Sequence, residues 1–357
     1  MIVEPLSDEK EWDRFVTSSP GGTFYHSARW RLILESLFGV TSAYLAIRDD
    51  MGGLVGICPF VIRKELKVFK VLDSLLDSDY GGPLFKDGYE ETAINVLGDY
   101  LKRFAHDEGI AYAKIRFTDK NLSQHLKVKV PRVDTSIGTM LVDLNQTPTD
   151  YIWSIVFSKK DAQRKYIRRF EESGYRVREV ENIDDDWSRF YTLYHDNMIH
   201  VGGLPYDTSF FNVLRKDLYP DNFSILLVED DQSTPGALGF YKHKDTSTFY
   251  LTHLGLDRSM ENRLHTSYYL YWKALQIAEK SGYQYVSFGS TPSNPDELHR
   301  RLKSKFGAQF AQDYITYLCY NQKRFLIRET MATLWRNAGT KLPNSFKRGL
   351  LSTAEAH

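Results

Sequence analysis

The feature that most constrains this chain is an order of local patterns that occurs twice. In the first half, β-rich runs at 40–48 and 54–64 are joined by Met51-Gly52-Gly53, a hairpin turn. A third extended stretch follows at 74–85, then a helix-period segment at 89–108 closed by Gly109, then a strand at 111–117. In the second half, 223–230 and 236–243 are the paired runs and 247–256 is the third stretch. A helix at 267–280 closed by Gly282 and a strand at 283–289 complete it. Glycine past the last helical turn adopts the left-handed cap without a Cβ penalty. One helix–glycine–strand match is common in α/β chains, but the whole order repeated implies two copies of one module. The turn-forming run Asn145-Gln146-Thr147-Pro148 marks the boundary. Each copy opens with helices, at 8–17 and 27–38 (from Ser27 to Gly39) and at 149–173, 184–200 and 208–217. Gly174 ends the 149–173 helix and 175–180 is the following strand.

The length, 357 residues, suits two domains. Forty-six basic and 46 acidic side chains exclude a protein that grips nucleic acid with its whole surface, and leave local patches open. An aromatic content of 14% excludes a disordered chain. The two cysteines, Cys58 and Cys319, cannot build a disulfide framework, which points to a reducing compartment. The longest apolar run, 54–62, contains Gly56 and Pro59 and falls far short of the roughly twenty residues of a spanning helix. The N-terminus lacks the charged and apolar regions of a signal peptide. The expectation is a cytoplasmic protein without a transmembrane segment.

Several chemistries are disfavoured. There is no His-Glu-x-x-His or Cys-x-x-Cys, and His195 and His200 fall on different helix faces, so no metal site is expected. Phosphate loops, dinucleotide fingerprints and nucleophile elbows are missing. Residues 159–178 carry eight basic and three acidic side chains, with Arg164 and Arg168 at i, i+4 spacing. A solvated helix face and a contact with RNA or an anionic substrate are both open. The tail, 321–357, has seven basic and two acidic residues and an apolar stripe including Phe325, Leu326, Met331, Leu334 and Trp335. It either packs on the body or meets a membrane surface or RNA.

Hairpin, extended strand, helix and strand form the layout of the GNAT-like acyltransferase fold. Further segments resemble the FemAB-type family, aminoacyltransferases that build peptidoglycan interpeptide bridges, and its broader acyltransferase relatives. They are Thr23-Phe-Tyr-His26-Ser27-Ala-Arg-Trp30, Ser78-Asp79-Tyr80-Gly81-Gly82-Pro83-Leu84, and Arg164 through Gly174. Phe288-Gly289-Ser290 and Leu302-Lys303-Ser304-Lys305-Phe306-Gly307-Ala308 continue the series. The resemblance runs from Thr23 to about Tyr320. It implies an α/β (α+β) chain of two tandem GNAT-like domains, each a mixed, mainly antiparallel sheet flanked by helices. The expected bounds are 1–146, 147–322 and a basic amphipathic C-terminal helix at 323–357.

The resemblance further implies transfer of an aminoacyl or acyl group to an amine, with no bound cofactor. Aminoacyl-tRNA or acyl-CoA would be the donor, and a small amine or a cell-wall or lipid-linked precursor the acceptor. Lys303 matches the lysine thought in the family to stabilise charge on the acyl carbonyl and leaving group, although Leu302 replaces a phenylalanine. A surface lysine beside Arg300, Arg301 and Lys305 is the plainer reading. Basic residues that hold a nucleotide-linked precursor are replaced here by Ile33 or Leu34 and by Tyr206, which weakens the case for a UDP-linked acceptor. The segment Arg258 to His265 has Glu261 and Arg263 where acyl-CoA enzymes of this fold use a glycine-rich turn, so direct support for coenzyme A is missing.

Asp79 could receive the amine's proton, with Tyr80, Gly81 and Gly82 bordering an acceptor cleft, or the segment is simply a tight turn. His26 could line the cleft or join a helix to the core, and Trp30 is assigned to the core. Catalytic candidates are thus Lys303 and Asp79. Substrate-binding candidates are Tyr80, Gly81, Gly82, His26, Tyr206, Arg164, Arg168, Ser290 and Lys305. The alternative functional reading is a non-catalytic RNA- or anionic-surface-binding module. A third is a degenerate enzyme whose domains serve assembly.

Overall fold

The computed structural model describes the chain except residues 7, 66–68, 75, 127–131, 158–161 and 339–357. It contains two compact units: Met1–Ile137 together with the chain from Gln312 onward, and Gly138–Ala311. The sequence-based bounds at 146 and 322 are thereby corrected. The second unit is inserted into the first, because the last strand returns to the first unit's sheet.

In chain order the first unit contains β1 (Ile2–Pro5), α1 (Glu9–Ser18), a 3-10 turn at Phe24–His26, α2 (Ala28–Phe38), β2 (Thr41–Ser42) and β3 (Leu45–Arg48). Then come β4 (Leu54–Cys58), β5 (Val61–Glu65), β6 (Phe69–Asp73), β7 (Leu84–Phe85), α3 (Glu90–Glu108), β8 (Ile110–Phe117), α4 (Lys120–Gln124) and β9 (Arg132–Asp134). The expected hairpin exists, with Arg48 opposite Leu54. Each of its runs is broken, however, the second at Pro59, which cannot donate to a ladder. β3 and β4 serve one sheet, of order β1-β3-β4-β7, while β2 and β5 serve another. The third extended element is β6 rather than 74–85, most of which is irregular. As expected, Ser27 caps α2 by accepting from Trp30 N–H, and Gly39 (φ 58°) ends it.

The second unit runs through β10 (Ile137–Asp143), α5 (Thr149–Tyr151) with a π-helical turn at Ile152–Val156, α6 (Gln163–Glu171), β11 (Arg176–Glu179), α7 (Asp184–His200) and α8 (Thr208–Asp217). It continues with β12 (Phe223–Glu229), β13 (Gly236–Tyr241), β14 (Thr248–Leu256), α9 (Arg258–Leu264), α10 (Thr266–Lys280), β15 (Tyr285–Pro292), α11 (Leu298–Ser304) and β16 (Gln309–Gln312). The helix expected at 149–173 is therefore interrupted, and Phe157, fully buried, sits at the break. The strands form one sheet of order β11-β12-β13-β14-β15-β10-β16. Its core joins Val228, Leu238, Phe240 and Phe249 of the sheet to Leu270, Ala274 and Leu275 of α10. Gly255 permits α7 to cross closely, since a Cβ there would lie 2.7 Å from Tyr194 N.

The chain then returns as β17 (Tyr314–Cys319) and α12 (Gln322–Ala338). β17 lies between β8 and β9 in the first unit's second sheet, of order β2-β5-β6-β8-β17-β9. Asp313, just before β17, makes a buried ion pair with Arg116 of β8. In α12, Phe325 packs on Tyr112 and Tyr317, and Arg328 reaches Glu65 at 3.6 Å. The first turns of the tail thus pack on the body, while Leu326 and Ile327 are exposed. Readings that concern 339–357 fall outside the described residues. Among those described, no helix is long and apolar enough to cross a membrane.

Candidate active site

The second unit contains an opening in its sheet. β14 and β15 are parallel and share register from Thr248↔Tyr285 to Tyr250↔Ser287. Beyond these pairs, Leu251 to Leu256 register with β13, with a shift between Gly239 and Phe240 that leaves Thr252 as an extra residue. The two parallel strands therefore part toward their C-terminal ends. In α/β sheets, ligands enter at the carboxyl ends of strands whose neighbours diverge.

Lys303 stands at this opening. Its Nζ donates to Thr291 Oγ1 at 2.7 Å and to the Ser290 carbonyl at 3.3 Å, on the diverging part of β15. Gly289 supplies the local turn (φ 75°), inside a strand where a side chain would be strained. The Thr291 hydroxyl donates to the Gly289 carbonyl at 3.3 Å. Behind Lys303, Phe306 is fully buried against Phe157, Tyr271 and Phe288, and Gly307 (φ 83°) reverses the chain. Glu297 caps the start of α11 by accepting from His299 and Arg300 N–H. The Lys-x-x-Phe-Gly pattern is thus a clamp: Phe306 and Gly307 fix the helix that carries the ammonium. Lys303 is half-buried, so it is removed from the plain surface-lysine reading, whereas Lys305 is exposed.

On another part of this unit, Tyr206 stacks on Phe210 (centroids 3.9 Å apart) and its N–H donates to the Tyr194 hydroxyl at 3.2 Å. Tyr194, Tyr206, Phe210, Phe211 and Tyr241 surround His253 of β14, which is largely buried. Sequence reasoning missed His253, since a lone histidine in an apolar run carries no pattern. Arg164 donates to the carbonyls of Trp153 and Ser154, both at 2.7 Å, and lies over the Trp153 ring with Arg168. Arg164 therefore closes the carbonyl end of the preceding helical turn. Arg176 and Arg178 pair with Glu229, and Arg178 also with Asp186. Much of the basic run at 159–178 is thus engaged inside the unit; Lys159 and Lys160 lie outside the described residues. Among the described residues, no group of side chains could hold a metal ion.

The remaining candidates sit in the first unit. His26 is buried: Nδ1 accepts from the Thr23 N–H (3.2 Å), which leaves Nε2 to donate to the Gly82 carbonyl (3.0 Å). Burial pushes its pKa down to about 4, so the ring is neutral. A Cβ on Gly82 would lie 1.9 Å from the Arg116 carbonyl oxygen, so close backbone packing explains that glycine. Gly81 is buried. Tyr80 lies under the Arg116 guanidinium at 5.2 Å, and the Tyr25 hydroxyl donates to Asp79 at 3.5 Å. Trp30, fully buried, donates to the Ser78 hydroxyl at 2.9 Å, as a core residue would. Lys303 and Ser290 are brought together within one unit. His26, Asp79, Tyr80, Gly81 and Gly82 form a second group in the other.

Residues 158–298 match the model of an acetyltransferase (GNAT) domain. Both units build a tandem GNAT-like fold. Crystalline FemX is similar over 92% of this chain and 99% of its own, with a TM-score of 0.73 and 15% identity. The tandem GNAT protein from the clavulanic acid biosynthesis pathway is similar over 88% of this chain and 97% of its own (TM-score 0.56, 9% identity). L-PGS from Bacillus licheniformis covers 88% of this chain and 93% of its own (TM-score 0.56, 14% identity). No curated protein sequence matches the chain. These likenesses bear out the GNAT-like, FemAB-like resemblance read from the sequence.

Proposed function

We propose that this chain is an N-acyltransferase that moves an aminoacyl or acyl group onto an amine, with its chemistry in the second unit. The observation that carries this reading is the parting of β14 and β15 with Lys303 held at the diverging end of β15. In the reaction the amine nitrogen attacks the donor's carbonyl carbon, and the C=O electron pair moves onto oxygen. Collapse of this tetrahedral adduct breaks the bond to the donor's ester oxygen or thioester sulfur, and the amine's proton passes to that departing oxygen or sulfur. A fixed ammonium beside the opening stabilises the oxyanion and the departing anion; one such group contributes about 3 kcal/mol. The Ser290 carbonyl and Thr291 hydroxyl hold it, so no reorganisation is needed as charge develops.

The likeness to FemX supports an acceptor from the cell wall or cell surface, such as a lysine-type amine on a precursor. Incubation with charged tRNA and with acyl-CoA, followed by mass spectrometry of candidate amines, tests the reading. Transfer that falls by about 10²–10³ in Lys303→Ala at unchanged melting temperature is the expected result. The absence of transfer from any donor to any amine would overturn it. The reading of the chain as an RNA-binding module is less favoured, since Arg164, Arg176 and Arg178 already have partners in their own unit.

A further inference from the structure

The second helix after β14 has an unusual start. α10 spans Thr266–Lys280, long enough for its N-terminus to attract an anion, and four N–H groups at such an end lack helical partners. It is joined through α9 to the C-terminal end of β14, the strand that parts from β15. Its N-cap residue, His265, supplies no side-chain cap. Three N–H groups of this first turn are nevertheless engaged within the chain. Tyr268 and Tyr269 donate to the His265 carbonyl at 3.0 and 3.4 Å. Ser267 N–H donates to the Glu261 carboxylate at 3.2 Å, and its hydroxyl donates to the same group.

This carboxylate is built in. Glu261 lies on α9, which Asp257 caps by accepting from Ser259 N–H at 2.9 Å. Arg258 donates to Asn197 Oδ1 and Asn197 in turn to the Leu254 carbonyl, both at 2.8 Å, so α9 is anchored to α7 and β14. His265 turns the chain with φ 55° and stacks on Tyr166 at 3.6 Å. No glycine occurs from 257 to 265, and α9 with the His265 turn delivers the Glu261 side chain to the first turn of α10.

We infer that Glu261 is a specificity-determining residue for the transfer: it fills the anion site of α10 with the chain's own carboxylate and bars donors held there through a diphosphate, coenzyme A esters included. A diphosphate entering this corner meets a like charge and finds the Ser267, Tyr268 and Tyr269 N–H groups already bonded. Donors whose leaving group lacks a diphosphate are unaffected. The inference rests on the acyltransferase reading for its meaning, while its test does not require turnover.

Coenzyme A is titrated calorimetrically into the full chain and into Glu261→Gln and Glu261→Ala, at low salt, with circular dichroism and melting curves as folding controls. The wild type should show no saturable binding up to about 1 mM, and the glutamine variant at least about tenfold tighter binding than that limit. Should Glu261→Gln lose its native melting transition, the alanine variant carries the same reading, and Glu261→Asp, which withdraws the carboxylate by one methylene, does so if both unfold. Saturable binding of coenzyme A by the wild type overturns the inference, as does unchanged weak binding in a folded variant. Acyl transfer from acetyl-CoA by the wild type would sink this inference and leave the acyltransferase reading intact. Gained coenzyme A binding without transfer from any donor would do the reverse.

Discussion

In the first unit, β6 and β8 pair in parallel from Lys70↔Ile110 to Asp73↔Lys114, and the chain beyond stays on β8. Ser74 N–H donates to the Lys114 carbonyl at 3.0 Å, the Ser74 hydroxyl accepts from Arg116 N–H at 3.2 Å, and Gly82 lies against the Arg116 carbonyl. In the second unit the matching pair, β14 and β15, parts after Tyr250↔Ser287 and leaves room for Lys303. The same module thus carries a filled edge in one copy and an open one in the other. The filled edge is sealed by the Ser74 hydrogen bonds and by Gly82, where a Cβ would lie 1.9 Å from the Arg116 carbonyl oxygen.

This contrast can be broken or sharpened by substitution. The largest effect is expected for Lys303→Ala, which should lower kcat/KM by about 10²–10³ while the melting temperature holds, as steady-state kinetics would show. An equal loss from Asp79→Asn would mean that the filled unit also does chemistry. Next comes Asp313→Ala, which strips the buried Arg116 of its carboxylate and should cost about 3–5 kcal/mol in denaturant unfolding. Gly82→Ala should destabilise the first unit by about 3 kcal/mol, because the new methyl meets backbone rather than a movable side chain.

His26 gives a pH test. Its folded pKa, about 4, lies below the ordinary 6.5, so the stability it contributes is present above 6.5 and is lost as pH falls toward 4. The loss amounts to about 3 kcal/mol and should flatten in His26→Gln, measured by melting curves across pH 7 to about 4. The smallest effect is expected for Arg164→Ala, about 1 kcal/mol of stability, with tRNA affinity unchanged in a filter-binding assay. A large loss of tRNA affinity there would revive the nucleic-acid reading.

The duplicated order, the helices at 184–200 and 208–217, the Ser27 cap and the Gly39, Gly109 and Gly282 stops were legible because each rests on local chemistry. What escaped depended on contacts distant in sequence. The return of β17 to β8 has no local signature, so the sequence pattern points to a boundary at 322 where the contacts divide the chain after Ala311. The break at Phe157 follows from its burial against Trp272 and Phe306, residues more than a hundred positions away. In the candidate site, the Lys-x-x-Phe-Gly pattern pointed to Lys303, whereas Thr291 as its holder did not show. Glu261 stood out in sequence only as a residue that was not glycine. Its bond to Ser267 needed the α9–α10 corner to be seen.

The insertion of one unit within the other also orders events during synthesis. A ribosome that has released the first 137 residues has made β8 without its neighbour β17, which emerges only after the whole second unit. Until then β8 is an edge with unpaired backbone groups, the kind of edge that recruits strange strands. The inserted unit, contiguous from 138 to 311, can complete its sheet first. Truncation before Tyr314 therefore removes far more than a tail: it leaves the oldest part of the nascent chain without the strand that finishes it.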